Sequence, residues 1–173
     1  MVHIASHFVF RPGDGQKSYL LLAGKESAGT GYALTQADFS SNPNLDMSDT
    51  ELLTLSACET GLTGSARNGI EVDGLGTTAQ LKGAKAVKSS LWEVNDSSTG
   101  ELMAGFYHRW ASGEGKVSKA AALREAQLDL LLGKVKPRAD SSAGGLGFSN
   151  PDAPAGFAHP YYWAPFILMG NWQ

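Results

Sequence analysis

The sequence predicts an α/β fold built on a parallel sheet flanked by helices, and three observations predict it. Leu52-Leu53-Thr54-Leu55-Ser56-Ala57-Cys58-Glu59-Thr60-Gly61 is a short apolar run that stops at the only cysteine in the chain, as an internal strand of a parallel sheet would. The opening stretch Val2-His3-Ile4-Ala5-Ser6-His7 has the same design, a brief apolar segment that closes on a titratable residue. Residues 84–92 read as a third internal strand, and two apolar patterns at helical spacing follow it. Ligands of open parallel sheets sit beyond the carboxyl ends of the strands, so His7 and Cys58 are expected on one rim.

At 173 residues the chain reads as a single domain, long enough to bury roughly two-thirds of its unfolded surface. One cysteine excludes an intrachain disulfide and a multi-cysteine zinc site, and it fits a reducing compartment. No metal and no other cofactor is implied. A net charge of -3 with 14 scattered Lys and Arg gives no basic footprint, so nucleic acid is not expected as a direct partner. No apolar run approaches ~20 residues and no basic region precedes one, which leaves neither a membrane span nor a signal peptide in view. The expected location is the cytoplasm.

Taken in order, residues 2–7 form the first strand, residues 11–17 a turn around Pro12, Gly13 and Gly15, and residues 19–23 a short apolar strand. Thr35 and Asp38 make an acidic capping box for one or two helical turns. The Cys58 strand gives way to a Gly-rich crossing over 61–69 that would touch ligands. A helix over 72–81 leads to the strand at 84–92. Ser98 and Glu101 form a capping box before Leu102, Met103, Phe106, Tyr107 and Trp110, with Gly113 as the stop. Residues 117–132 repeat the helical pattern and Gly133 ends it. Residues 137–160 are Gly, Ala, Ser and Pro without periodicity, expected to be a flexible insertion. Residues 161–169 close the chain as an aromatic strand.

A lone strand cysteine is more often packing than chemistry. Cys58 stands before a Gly-rich loop, however, and a histidine on the same rim can lower a thiol's pKa or protonate a leaving amine. His3 shares strand parity with His7 and is expected deeper, in a packed or hydrogen-bonded role. His108 falls among aromatics on a helix, and His159 precedes Pro160; both read as structural. Glu59 would oppose thiolate formation if it faced the sulfur, so it is expected to point away. Gly74-Leu75-Gly76-Thr77-Thr78-Ala79 fits a dinucleotide fingerprint on paper. With no strand directly before it, the simpler reading is a helix start packed closely on the sheet.

Four stretches together resemble the successive signatures of CHAT domains: Val2 to His7, Leu55-Ser56-Ala57-Cys58-Glu59-Thr60-Gly61, Ser90-Leu91-Trp92-Glu93-Val94-Asn95-Asp96, and His159-Pro160-Tyr161-Tyr162-Trp163-Ala164-Pro165-Phe166. CHAT domains are caspase-like cysteine protease domains, akin to separases and gingipains and commonly joined to tetratricopeptide repeats. The 51 positions from His7 to Cys58 (58 minus 7) match the caspase spacing of a His ~50 residues before the Cys. The resemblance implies a caspase-like sheet and peptide-bond hydrolysis after nucleophilic attack by Cys58, with His7 as its partner.

Two departures stand out. The family has Gly after the catalytic His, where its N–H helps form the oxyanion hole, and this chain has Phe8, whose side chain is expected to crowd the site. The family's sheet also begins with strands upstream of the His-bearing one. Their absence would make this an N-terminally truncated domain, with the His7 strand at an exposed, association-prone edge unless a missing N-terminal segment or a partner covers it. The expected function is therefore a cysteine endopeptidase acting on protein or peptide substrates. Its alternatives are an inactive caspase-like domain that binds peptides or scaffolds a complex, and a nucleotide-binding domain resting on the Gly74 run. Phe8, Trp92 and Asp96 are the expected substrate-binding residues. Asp96 resembles the acidic residue with which separases hold an arginine, which implies cleavage after a basic residue; equally, it could cap the helix that follows.

Overall fold

The computed structural model describes residues 1–9, 11, 14–22, 32–59, 70–92, 94–113, 115–135 and 156–173. The crossing at 61–69 lies outside the described residues, as does all of the expected insertion up to residue 155. Two compact units divide the chain, Met1–Glu93 with Ile167–Asn171, and Val94–Phe166 with Trp172–Gln173.

The first unit is organised by a six-stranded sheet in the order β3-β2-β1-β4-β5-β6. Its strands are β1 (Val2–Val9), β2 (Tyr19–Leu22), β3 (Tyr32–Thr35), β4 (Leu53–Glu59), β5 (Ala86–Ser90) and β6 (Phe166–Gly170). β1 runs parallel to β4, and β4 to β5. β2 is antiparallel to both β1 and β3, so the sheet is mixed where a parallel one was expected. The cause is local: a 3-10 turn at Gly15–Lys17 sends the chain back along β1, and the four-residue β3, which no sequence signal singled out, completes a meander.

This arrangement corrects the expected exposure of the His7 strand. β1 lies between β2 and β4, with Phe8 opposite Leu20 and Val9 opposite Tyr19 on one side and seven residues paired to β4 on the other. The sheet's edges are β3 and β6. The expectation of association through an unpaired β1 edge loses its basis at the end of the strand that carries His7.

One face of the sheet packs a core of Phe8, Leu20, Leu53, Leu55 and Val87 against Phe39 of α1 (Gln36–Ser41) and Leu75 and Ala79 of α2 (Ile70–Leu81). α1 begins where expected: Asp38 N–H donates to Thr35 Oγ1 at 3.0 Å and Thr35 N–H to the Asp38 carboxylate at 3.3 Å. α2 stops at Gly83, whose φ of 104° only glycine adopts readily. There, Ala84 N–H reaches back to the Ala79 carbonyl at 3.0 Å, and a Cβ on Gly83 would lie 2.7 Å from Ser48 Cα. All five residues of β5 are buried, as an internal strand requires.

The second unit pairs α3 (Asp96–Ser112) with α4 (Lys119–Leu131), burying Leu102, Met103, Phe106, Ala122, Leu123, Ala126 and Leu130. α3 starts earlier than its expected box because Asn95 is an equally good cap and comes first; its side chain accepts from Ser98 N–H at 3.1 Å. Ser118 caps α4 by accepting from Ala121 N–H, also at 3.1 Å. Arg109 of α3 pairs with Asp129 of α4. The closing segment departs from its strand reading: α5 (Pro160–Trp163) is a single helical turn, and β6 begins only at Phe166. His159 Nδ1 accepts from Tyr161 N–H at 3.2 Å with Pro160 at the first helical position, which gives His159 its structural role.

Candidate functional site

His7 and Cys58 are paired residues of two adjacent parallel strands. Neighbouring strands lie about 4.8 Å apart and paired positions share a face, so the two residues that the sequence set 51 positions apart (58 minus 7) become neighbours across one ladder. Neither terminates its strand: β1 continues through Phe8 and Val9, and β4 through Glu59. By alternation Phe8, whose ladder partner is Glu59, occupies the other face. His7 is exposed.

Phe8 answers the question of crowding. Its side chain is 4% exposed and belongs to the core with Leu20, Leu53 and Leu55, on the face opposite His7. The expected crowding is overturned by the two-residue period of a strand: the residue after an outward-facing histidine points inward. Trp92, two residues past β5, is half-buried. Asp96 is exposed in the first turn of α3, in the other compact unit, and is not the cap, since Asn95 is. His108 is exposed on α3, with Nδ1 3.5 Å from Ser112 Oγ. The Gly74 run lies inside α2 rather than at a strand-to-helix turn, so the context that a dinucleotide fingerprint needs is missing. Gly76 instead allows close packing, for a Cβ there would meet Val87 Cγ1 at 3.7 Å and press on Met169.

Two steps down the same face, the register lines up His3, Thr54 and Lys88 across β1, β4 and β5. Thr54 and Lys88 are fully buried. Burial pushes the Lys88 amine down to about 7, since a charged ammonium is costly away from water. His3 is exposed rather than deep; partial desolvation of the ring and then the charge on Lys88 hold its imidazole below the ordinary range. Sequence reading passed over Lys88, although a lysine inside the apolar run Ala84 to Leu91 was a signal for it. Among the described residues no group of three or more His, Cys, Asp or Glu is placed to hold a metal ion.

A helix-flanked α/β sheet with parallel pairs at its centre is consistent with the caspase-like class of architecture. The chain belongs to the CHAT domain family, whose model matches residues 1–171, a span that takes in both compact units. That family is related to caspase-like proteases. No curated protein matches the chain. Among the described residues no helix is long and apolar enough to cross a membrane.

Two outcomes follow from the placement of Phe8 and Lys88. Phe8→Ala should cost about 3–5 kcal/mol of stability in denaturant unfolding, and Phe8→Gly should give no gain of activity; an unchanged unfolding midpoint would contradict the core position. For Lys88, the folded amine at about 7 lies below its ordinary 10.5, so between these values the unfolded chain binds more protons and stability rises with pH. The full cost of burying the charge is present below pH 7. Lys88→Met should therefore be more stable than the wild type at neutral and lower pH, its advantage shrinking by up to ~1.4 kcal/mol per pH unit as pH climbs towards 10.5. Parallel stability curves for the two proteins would refute the burial argument.

Proposed function

We propose that the chain is a cysteine endopeptidase that hydrolyses peptide bonds in protein or peptide substrates. The observation that carries this reading is the pairing of His7 with Cys58 across β1 and β4, within a chain of the CHAT domain family. Cys58, as thiolate, attacks the scissile carbonyl carbon. The resulting oxyanion is held by the backbone N–H of Cys58 and that of Phe8. Collapse of the tetrahedral species breaks the C–N bond, and His7 protonates the leaving amine. Water activated by His7 then cleaves the thioester, and the thiol is restored. No metal or cofactor is called on. The lone thiol suits a reducing compartment, so we place the enzyme in the cytoplasm, with a tetratricopeptide-repeat region as the partner that the family resemblance implies.

Specificity for a basic residue before the scissile bond is part of the same proposal. It rests on the sequence position of Asp96 after Trp92 and is supported by the identification of Asn95 as the cap, which leaves the exposed Asp96 carboxylate without that duty. A carboxylate in a desolvated pocket favours a guanidinium through a paired, directional contact. Trp92 would supply an apolar wall.

Cys58→Ala should abolish turnover and His7→Ala lower it on the order of 10²–10⁴-fold, both with the fold intact by circular dichroism; wild-type cleavage by Cys58→Ala would end the mechanism. In a fluorogenic panel, substrates with Arg should exceed those with Asp, and Asp96→Ala should remove the preference without moving the melting temperature. A ranking untouched by Asp96→Ala would withdraw the specificity claim.

A further inference from the structure

The side of β1 away from Cys58 carries a second contact beside His7. The β1–β2 pairing sets Val9 opposite Tyr19 and Phe8 opposite Leu20. Next along β2 the Leu21 carbonyl accepts from the side-chain hydroxyl of Ser6, while the Ser6 backbone is paired with Ala57 of β4. Ser6 thus ties both neighbouring strands together at the residue before His7, and it does so from the core-facing register of β1, the opposite face from the imidazole. Phe8, on the other flank of His7, is fixed in the core. The histidine is held between two residues anchored to the body of the sheet.

We propose that Ser6 is a positioning residue for His7: its hydrogen bond to Leu21 sets the path of β1 so that the imidazole meets the Cys58 thiol in reacting geometry. This rests on the reading of Cys58 and His7 as a dyad. A displacement of about 1 Å at a reacting group costs on the order of 10²-fold in rate, so one strand-to-strand hydrogen bond at this place matters more to the chemistry than to the fold. A side chain capable of the same bond is sufficient; the hydroxyl itself does not touch substrate.

Because Cys58 is the only cysteine, the pH dependence of its alkylation by iodoacetamide reports the thiolate without ambiguity. In the wild type, pairing with the imidazolium should keep alkylation fast well below the ordinary thiol range of about 8.5, and His7→Ala should return the midpoint to that range. Ser6→Ala and Ser6→Val should move the midpoint upward and lower kcat about 10-fold or more on an arginyl fluorogenic peptide, with KM nearly unchanged. Ser6→Thr, which keeps the hydroxyl on a strand-favouring side chain, should behave as the wild type; comparing Thr with Val isolates the hydroxyl even if the Ala variant folds poorly. If the Val variant matches the Thr variant in midpoint and kcat, or differs only in melting temperature, while His7→Ala still shifts the midpoint, Ser6 is structural and the proposal fails with the dyad intact. If His7→Ala leaves the midpoint unmoved, the dyad reading falls and the role of Ser6 falls with it.

Discussion

Everything assigned to this protein depends on the parallel ladder between β1 and β4, in which seven consecutive residues, Val2 to Phe8, pair with Leu53 to Glu59. A ladder of that length holds its register firmly. A slip of β1 by one residue would turn Ile4 and Phe8 out of the core and bring His7 inward, so the apolar residues that stabilise the sheet also decide which face the histidine occupies. Fully burying side chains such as Phe8, Leu53 and Leu55 contributes about 1.5–3 kcal/mol each, far more than any contact of the exposed imidazole. Core packing fixes the register, and the register fixes the candidate dyad.

The face that carries His7 and Cys58 is not apolar in the way the other one is. Its rows include Thr54 and Lys88, both fully buried, where the opposite rows hold Leu53, Leu55 and Val87. A buried lysine whose amine is brought to about 7 is costly to the fold, and natural sheets seldom accept that without a reason. The two faces therefore divide the labour, one supplying stability and the other carrying groups that titrate.

Much of this was legible in the chain. The apolar run before Cys58, the helical periodicity of α3 and α4, and the Thr35–Asp38 box are local patterns, and local patterns survive into the structure. The meander of β2 and β3 was not legible, because strand pairing is a long-range choice, and a four-residue strand such as Tyr32–Thr35 has no periodicity to display. Phe8 was misjudged for a different reason. Comparison with a glycine in the resembling family drew attention to the space a side chain takes up, when the alternation of Ile4, Ser6 and Phe8 already placed it on the core side. The start of α3 shifted because Asn95 and Ser98 compete for one cap, and three residues are too few for propensity to decide between them.

The connectivity of the sheet also sets an order of assembly. β1, β2 and β3 are consecutive and antiparallel, all within the first 35 residues, so their contacts close short loops. The β1–β4 ladder must close a loop of 51 residues (58 minus 7), at a greater entropic cost. A chain emerging from the ribosome can therefore build the meander around His7 well before Cys58 has been made. β4 then joins a β1 already framed on its other side, so the pairing of His7 with Cys58 closes only after the local contacts around His7 are available.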